Sequence, residues 1–381
     1  MPAQVPFDTI PELFTHLVDH YRGQDRTVMR HKDKASKQWK RISWETLERR
    51  VQALAGYLHE QGIRPGDRVA ILSENRPEWA ITDLATQLIG GINVSIYTSL
   101  PEQKVSYIVR DSGARVLIVS VPIQRKKAEA IFDACRDLEA VVVMSDLPDD
   151  APDGFVHWDA AMDAGRAYWT SHEDTLTPLA DAVTPADTSA LIYTSGTTGQ
   201  PKGVVLTHEN FCSNAKAALN RVPFGPDDHH LSFLPLCHSF ERTAGYTAVL
   251  AAGATISYAE SIEAVSQNLV EESPTVMISV PRLFEKVYNI VTKQASEGSA
   301  VEQRVFDWAV RTGKKHAAAQ DEGGPGVLLK AQYALAHRLV FAKLHEKMGG
   351  QLRFAVSGGA ALPKEIGTFF RAAGITIIEG Y

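Results

Sequence analysis

The sequence is poor in cysteine and in long apolar segments, and each shortage excludes a class of protein. Its 381 residues contain three cysteines, at positions 135, 212 and 237, and no CxxC spacing. This usage argues against a disulfide framework or a zinc knuckle and favours a reducing compartment. No apolar run reaches the roughly 20 residues that a membrane-spanning helix needs. Residues 1–15 lack the basic and apolar segments of a signal peptide.

Excess positive charge is also lacking. The formal net charge is −6, with 39 Lys and Arg residues against 45 Asp and Glu residues. A general nucleic-acid binder is therefore not expected. Hydrophobic residues make up 44% of the chain and charged residues 22%, a balance typical of soluble globular proteins. The length suffices for two or three subdomains with sizeable cores.

The most informative stretch is a segment rich in glycine and hydroxyl groups, YTSGTTGQPKGV at residues 193–204. Apolar runs at 190–193 and 204–207 predict buried strands on both sides of it. Glycines let backbone N–H groups converge on one point, and a lysine adds charge, so the segment suits a polyphosphate better than a plain surface turn. The spacing and the strand after it differ from a Walker A loop. The candidate phosphate-binding residues are Thr194, Ser195, Gly196, Thr197, Thr198, Gly199 and Lys202.

Strand and helix signals alternate along most of the chain. Predicted strands at 68–73, 92–96, 115–120 and 140–144 are interleaved with predicted helices at 77–89, 101–112 and 123–136. Such alternation predicts α/β architecture: two doubly wound, mostly parallel sheets with helices on both faces. Residues 146–189, rich in Asp, Pro and Ala, are interpreted as a linker region with loops at 146–154 and 178–188. The predicted subdomain regions are 1–189 and 190–381.

Two further segments follow predicted strands, where α/β proteins commonly bind ligands. In LPLCHSFER, at 234–242, His238 is a candidate ligand-orienting donor, although an isolated histidine is more often structural. A Cys237–His238 nucleophilic pair is disfavoured, because neighbours on an extended chain point to opposite faces. A metal site built from His229, His230 and His238 lacks a suitably spaced fourth ligand. In SGGAALP, at 357–363, the glycines suit either a flat ligand or a plain tight turn.

These segments resemble motifs of the adenylate-forming (AMP-binding) superfamily, which includes acyl-CoA synthetases, luciferases and peptide-synthetase adenylation domains. The phosphate loop matches nearly letter for letter, and the resemblance covers almost the whole chain as a large N-terminal domain. The FER after His238, the segments AESI at 259–262 and PRLFEKVY at 281–288, and the helical stretch at 296–348 are similar to long-chain fatty acyl-CoA synthetases.

The resemblance implies a two-step reaction and a role for each candidate residue. A long-chain fatty acid and ATP would give acyl-AMP and pyrophosphate, and coenzyme A would then displace AMP. Lys202 and His238 would be the catalytic residues, and Thr194 is the candidate ligand of Mg²⁺. Tyr381 would stack on adenine. The implied adenine- and acyl-binding residues are His238, Gly358, Gly359, Ala360, Glu379, Gly380 and Tyr381.

Several alternatives stay open at this stage. The chain ends inside a family motif, so it is expected to be a fragment without the small C-terminal lid domain. The alternatives to the ligase are a fatty acyl-AMP ligase that delivers to a carrier protein, and a catalytically incompetent fragment that binds nucleotide or acyl chains. The spacing disfavours a P-loop NTPase. The basic amphipathic helix predicted at 326–348 either packs with a solvated face or lies on a membrane. The expected location is cytoplasmic, with attachment to the inner membrane face and a homodimer left open.

Overall fold

The computed structural model describes residues 4–195 and 199–380, with the backbone alone for Ser195. Gly196, Thr197, Thr198 and Tyr381, four predicted site residues, lie outside the described residues. The chain forms two compact units. Unit 1 comprises Met1–Asp227 and Pro235–Tyr258, and unit 2 comprises Asp228–Leu234 and Ala259–Tyr381. The subdomain regions 1–189 and 190–381 are a different division of the chain and stay a prediction.

The elements follow one another in the alternation that the sequence predicts. In the described residues the strands are β1 (Thr27–Lys32), β2 (Trp39–Ser43), β3 (Arg68–Leu72), β4 (Ile92–Ile96), β5 (Ala114–Val119), β6 (Ala140–Val143), β7 (Phe155–His157), β8 (Thr188–Ser195), β9 (Pro201–Thr207), β10 (His229–Ser232), β11 (Thr255–Tyr258), β12 (Val276–Ser279), β13 (Phe354–Gly358) and β14 (Thr376–Gly380). The α-helices are α1 (Ile10–Tyr21), α2 (Trp44–Glu60), α3 (Pro77–Leu88), α4 (Glu102–Ser112), α5 (Pro122–Ile131), α6 (Trp158–Asp181), α7 (His208–Arg221), α8 (Ala248–Ala251), α9 (Val265–Glu272), α10 (Pro281–Ser296), α11 (Ala300–Asp321), α12 (Val327–Ala336), α13 (Ala342–Lys347) and α14 (Lys364–Ala372). A 3₁₀ turn spans Phe132–Ala134, and π-helical segments span Glu241–Thr247 and His337–Phe341.

Unit 1 contains a seven-stranded sheet in the order β7-β6-β5-β3-β4-β8-β9. Neighbouring strands are parallel from β7 to β8, and β9 alone runs antiparallel, as the second arm of a hairpin. Continuous apolar runs such as β6, buried at all four positions, are typical of a parallel sheet covered on both faces. The mostly parallel α/β prediction is confirmed. Unit 1 also places β1 between β11, which is parallel to it, and β2, which is antiparallel.

The predicted linker region at 146–189 is wrong in its central part. Helix α6 occupies Trp158–Asp181, is kinked at His172, where φ is −131° and ψ is 20°, and includes Pro178, where a loop was expected. A Cβ added to Gly165 would lie 1.9 Å from the carbonyl oxygen of Ala53 in α2, and one added to Gly56 would lie 2.3 Å from the carbonyl oxygen of Gly165. The two backbones therefore pack in direct contact, and this packing stabilises the helix despite the Gly and Pro within it.

Unit 2 contains four parallel strands in the order β14-β13-β12-β10. The long helices predicted near 300–319 and 326–348 are present as α11 and as α12, the second π-helical segment and α13. Helix α11 begins at a capping box, in which Ser299 and Glu302 bond each other's backbone N–H groups. No helix in the described part of the chain is long and apolar enough to cross a membrane.

Candidate functional site

The glycine- and hydroxyl-rich loop lies at the tip of the β8–β9 hairpin in unit 1. Thr194 is opposite Lys202 in the hairpin register, and Ser195 is opposite Pro201. Gly203 packs tightly against the Tyr193 ring, and a Cβ there would approach its Cζ to 3.0 Å. Gly199 has φ +86°, a conformation that glycine adopts without strain. The sequence placed the two strands correctly, and the structure adds that they pair directly. The predicted burial of the second strand is wrong: β9 is the edge strand of its sheet, and Val204 and Val205 are 43% and 58% exposed.

A cavity of about 400 Å³ opens beside this hairpin, entirely within unit 1. Its wall combines the predicted loop residues Thr194 and Gly199 with the predicted His238, although the two motifs are separate in sequence. Lys202 is exposed, as is the side chain of Thr194. The remaining lining residues are Tyr97, Leu100, Lys104, Ile108, Ile192, Tyr193, Pro201 and Ser239. The structure therefore joins the phosphate-loop and histidine motifs at one site with polar groups and an apolar wall.

His238 occupies the turn that leads from β10 into the first π-helical segment. Its Nδ1 accepts a hydrogen bond from the backbone N–H of Phe240 at 3.1 Å. When the ring is neutral, its proton is consequently on Nε2, which makes the exposed imidazole a hydrogen-bond donor. This agrees with the predicted role as a donor, which stays a prediction. Cys237 is buried, and burial raises the pKa of its thiol to about 12, so the thiol is inert at neutral pH.

Arg242 holds the turn that contains His238 through a backbone hydrogen bond and a buried ion pair. Its backbone N–H donates to the carbonyl oxygen of His238 at 3.0 Å. Its guanidinium forms an ion pair of 2.5 Å with Asp83 in α3, and both side chains are 2% exposed. The guanidinium carbon lies 4.9 Å from the ring centroid of Phe211 and 5.6 Å from that of Trp79. Sequence reasoning noted Arg242 only within its motif and missed Asp83, because nothing local links residues 159 positions apart.

Two polar residues of the cavity wall were also missed. Lys104 in the first turn of α4 donates to the carbonyl oxygen of Gly199. Tyr97 follows β4, and burial raises the pKa of its phenol to about 12, which keeps it protonated at neutral pH. Neither residue belongs to a motif. The sequence signal for Tyr97 is its position just beyond a predicted strand, which is where ligands bind in parallel sheets, whereas Lys104 lies within a predicted helix and has no such signal.

The other candidate residues lie together in unit 2, at the carboxyl ends of two adjacent parallel strands. Gly358 ends β13 and pairs with Gly380 of β14. Gly359 follows with φ +79°, and Ala360 is exposed. The carboxylate of Glu379 accepts a hydrogen bond of 3.2 Å from the backbone N–H of Leu362, which holds the turn before α14 against β14. The structure thus brings these five residues to one edge, and their role toward adenine or an acyl group stays a prediction.

Within the described residues, no group of three or more His, Cys, Asp or Glu side chains is arranged to hold a metal ion. The hydroxyl of Thr194 remains the candidate contact for Mg²⁺. A magnesium ion commonly keeps water and substrate phosphates as most of its ligands, with one or two groups from the protein. The exposed hydroxyl of Thr194, at the edge of the glycine-rich loop, fits that pattern.

The fold and this site together define an α/β protein with a glycine- and hydroxyl-rich loop beside a histidine-containing cavity. Residues 19–381 match the AMP-binding enzyme family, and the chain belongs to that family. It is 35% identical over 345 residues to the long-chain-fatty-acid–CoA ligase FadD15 of Mycobacterium bovis, covering 90% of this chain and 56% of that protein. It is 28% identical over 365 residues to the long-chain-fatty-acid–CoA ligase 5 of Rattus norvegicus, covering 91% of this chain and 51% of that protein. The chain spans about half the length of these curated relatives.

Solved structures show the same fold. The anthranilate CoA ligase AuaEII in complex with anthranoyl-AMP superposes with a TM-score of 0.69 at 20% identity, covering 98% of this chain and 60% of that one. The N-terminal domain of FACL13 from Mycobacterium tuberculosis superposes with a TM-score of 0.66 at 19% identity, covering 98% of this chain and 75% of that one. The predicted superfamily and its α/β architecture are confirmed.

Proposed function

We propose that this chain carries the nucleotide- and acyl-binding part of a long-chain fatty acid–CoA ligase. The observation that carries the proposal is the shared cavity, in which the phosphate loop and His238 line one space of about 400 Å³. The ligase names of the relatives from Mycobacterium bovis and Rattus norvegicus support the substrate class. The reaction would be ATP-dependent formation of acyl-AMP, followed by transfer of the acyl group to coenzyme A.

The residues of unit 1 suit the first step. Lys202 is exposed and directly opposite Thr194 across the hairpin, so its ammonium can approach phosphate oxygens at the loop. A positive charge there would offset the charge that develops on pyrophosphate as it leaves. The Nε2–H of His238 would donate to the fatty acid carboxylate and orient it toward the α-phosphorus. Mg²⁺, held by phosphate oxygens and Thr194, would supply further charge neutralisation.

The proposal predicts that Lys202→Ala in the intact enzyme weakens adenylation far more than fatty acid binding. A charge-assisted hydrogen bond contributes about 1.5–3 kcal/mol, so the rate of fatty-acid-dependent pyrophosphate release should fall roughly 10- to 150-fold. Calorimetric binding of palmitate should change little. Lys126→Ala, which removes another exposed lysine, is the matched control and should retain full activity.

Equal losses of adenylation and fatty acid binding in Lys202→Ala would contradict the phosphate role. Pyrophosphate release that does not depend on any fatty acid would refute the whole assignment. Product analysis with coenzyme A and with an acyl carrier protein separates the ligase from a fatty acyl-AMP ligase. A wild-type protein that binds an acyl-adenylate analogue without any turnover would instead be a binding module.

We further propose peripheral contact with a membrane. Four apolar side chains, of Val327, Leu328, Leu335 and Leu339, are 48–86% exposed along α12 and the π-helical segment that follows it. Lys330 and Arg338 on the same segment are exposed as well, a composition that suits a helix at an anionic lipid surface. Flotation with vesicles containing acidic lipid tests this contact; absence of binding at low salt would exclude it. A homodimer stays a prediction, for which sedimentation equilibrium is the measurement.

A further inference from the structure

A lysine outside every recognised motif contacts the phosphate loop. Lys104 is partly exposed in the first turn of α4 and lines the same cavity as Thr194 and His238. Its ammonium donates to the carbonyl oxygen of Gly199 and, at 3.4 Å, to Oε1 of Gln200. Both acceptors belong to the limb of the loop that leads into β9. A cation 95 residues away in sequence therefore holds the loop on the side that carries Lys202.

The same helix holds the other limb of the hairpin. The phenol of Tyr193, immediately before Thr194, donates to the carboxylate of Asp111 at 2.7 Å. Tyr193 is buried, and burial together with this bond raises the pKa of its phenol, which therefore remains a donor at neutral pH. Lys104 and Asp111 are seven residues apart, about two helical turns, so they share one face of α4. Helix α4 thus contacts the hairpin through its limb before the loop and its limb after it.

We propose that Lys104 is a positioning residue that ties the phosphate loop to α4 and adds a second positive charge at the nucleotide cavity. This inference rests on the proposed function. An ammonium has three donors, and the loop accepts from two, so one donor remains for a phosphate oxygen or water. Because Lys104 fixes the loop before the nucleotide arrives, less conformational entropy of the loop is lost on binding. Lys104 therefore acts on nucleotide binding through Gly199 and Gln200 and through its own charge, whereas Lys202 would contact the reacting phosphates.

Kinetics of the intact enzyme test the role. Lys104→Ala should raise the KM for ATP about 10-fold, as expected for loss of one partly exposed charge-assisted contact, and should leave kcat within about 2-fold. The KM for the fatty acid should not change. Lys104→Arg keeps the charge and the donors and should restore most of the affinity for ATP. Lys126→Ala is the control, because it removes a lysine of α5 that does not line the cavity.

Hydrogen exchange without nucleotide separates this inference from the proposed function. Lys104→Ala should increase amide exchange in residues 199–203, and Tyr193→Phe, which breaks the other contact, should increase it in β8. Unchanged exchange in Lys104→Ala would overturn the anchoring role whatever the protein binds. Faster exchange with an unchanged KM for ATP would overturn the role in nucleotide binding. A wild-type enzyme that binds no ATP would refute the proposed function, and the exchange result would still decide the anchoring contact.

Discussion

Removing the guanidinium of Arg242 should destabilise unit 1 strongly. Arg242→Met keeps a long apolar side chain but leaves the carboxylate of Asp83 buried without its ion-pair partner. Loss of one member of a buried pair typically costs about 3–5 kcal/mol, because the remaining charge has no solvent to stabilise it. The contacts of the guanidinium with the rings of Trp79 and Phe211 are lost as well. We expect a decrease of about 3–5 kcal/mol in the free energy of unfolding.

Urea denaturation followed by tryptophan fluorescence measures this change. The exposed pair Arg41–Asp25, with side chains 60% and 71% exposed, gives a matched control, and Arg41→Met should cost about 1 kcal/mol or less. The double variant Arg242→Met with Asp83→Leu removes both charges and should be more stable than Arg242→Met alone. Such non-additivity is expected only when the two side chains interact directly.

The stability deficit should also depend on pH. Burial raises the pKa of Asp83, and Arg242 opposes that shift. Without Arg242, the folded pKa of Asp83 rises further above its unfolded value, so over a wider pH range the folded state binds more protons than the unfolded state. The free energy of unfolding of Arg242→Met, relative to wild type, should therefore fall as the pH rises above the unfolded pKa of Asp83. The variant should lose less stability at pH 5 than at pH 7. A loss of less than about 1 kcal/mol in the free energy of unfolding of Arg242→Met at pH 7 would refute this reasoning. Additive effects of Arg242→Met and Asp83→Leu in the double variant would refute it as well.

Two further predictions concern unit 1. Burial lowers the pKa of His208 from 6.5 to about 4, and its Nδ1 accepts a hydrogen bond from the backbone N–H of Ile10. Between these two pH values, the unfolded chain binds a proton at His208 that the folded state does not bind. Stability should fall by about 3 kcal/mol as the pH decreases from 6.5 to 4, and His208→Gln should flatten this urea-unfolding profile; an unchanged slope would contradict the assignment. Gly165→Ala would place a Cβ 1.9 Å from the carbonyl oxygen of Ala53 and should cost at least about 1–3 kcal/mol. Gly326→Ala meets nothing within 4 Å and is the control; equal unfolding midpoints for the two variants would exclude the close helix contact.

The sequence predicted the strands and helices whose apolar residues follow a regular pattern, and it located the phosphate loop. Both results come from local signals: buried strands are continuous apolar runs, and a glycine-rich segment between two strands has few conformational uses. Strands β8 and β9 bracket the loop as expected. Helix α6 was not predicted, because its stability comes from backbone contact with α2 and the segment's own residues give no clear helical pattern.

The composition of the candidate site was decided by the tertiary structure. Thr194 and His238 were each predicted, but only the folded chain places both on one cavity wall. Lys104 reaches Gly199 across 95 residues, and Arg242 reaches Asp83 across 159 residues. Such contacts leave no periodicity, turn signal or motif, because each depends on how the order of strands packs helices that are distant in sequence. The sequence by itself therefore determined the family and the loop, and the order of strands in the sheet determined which charges surround them.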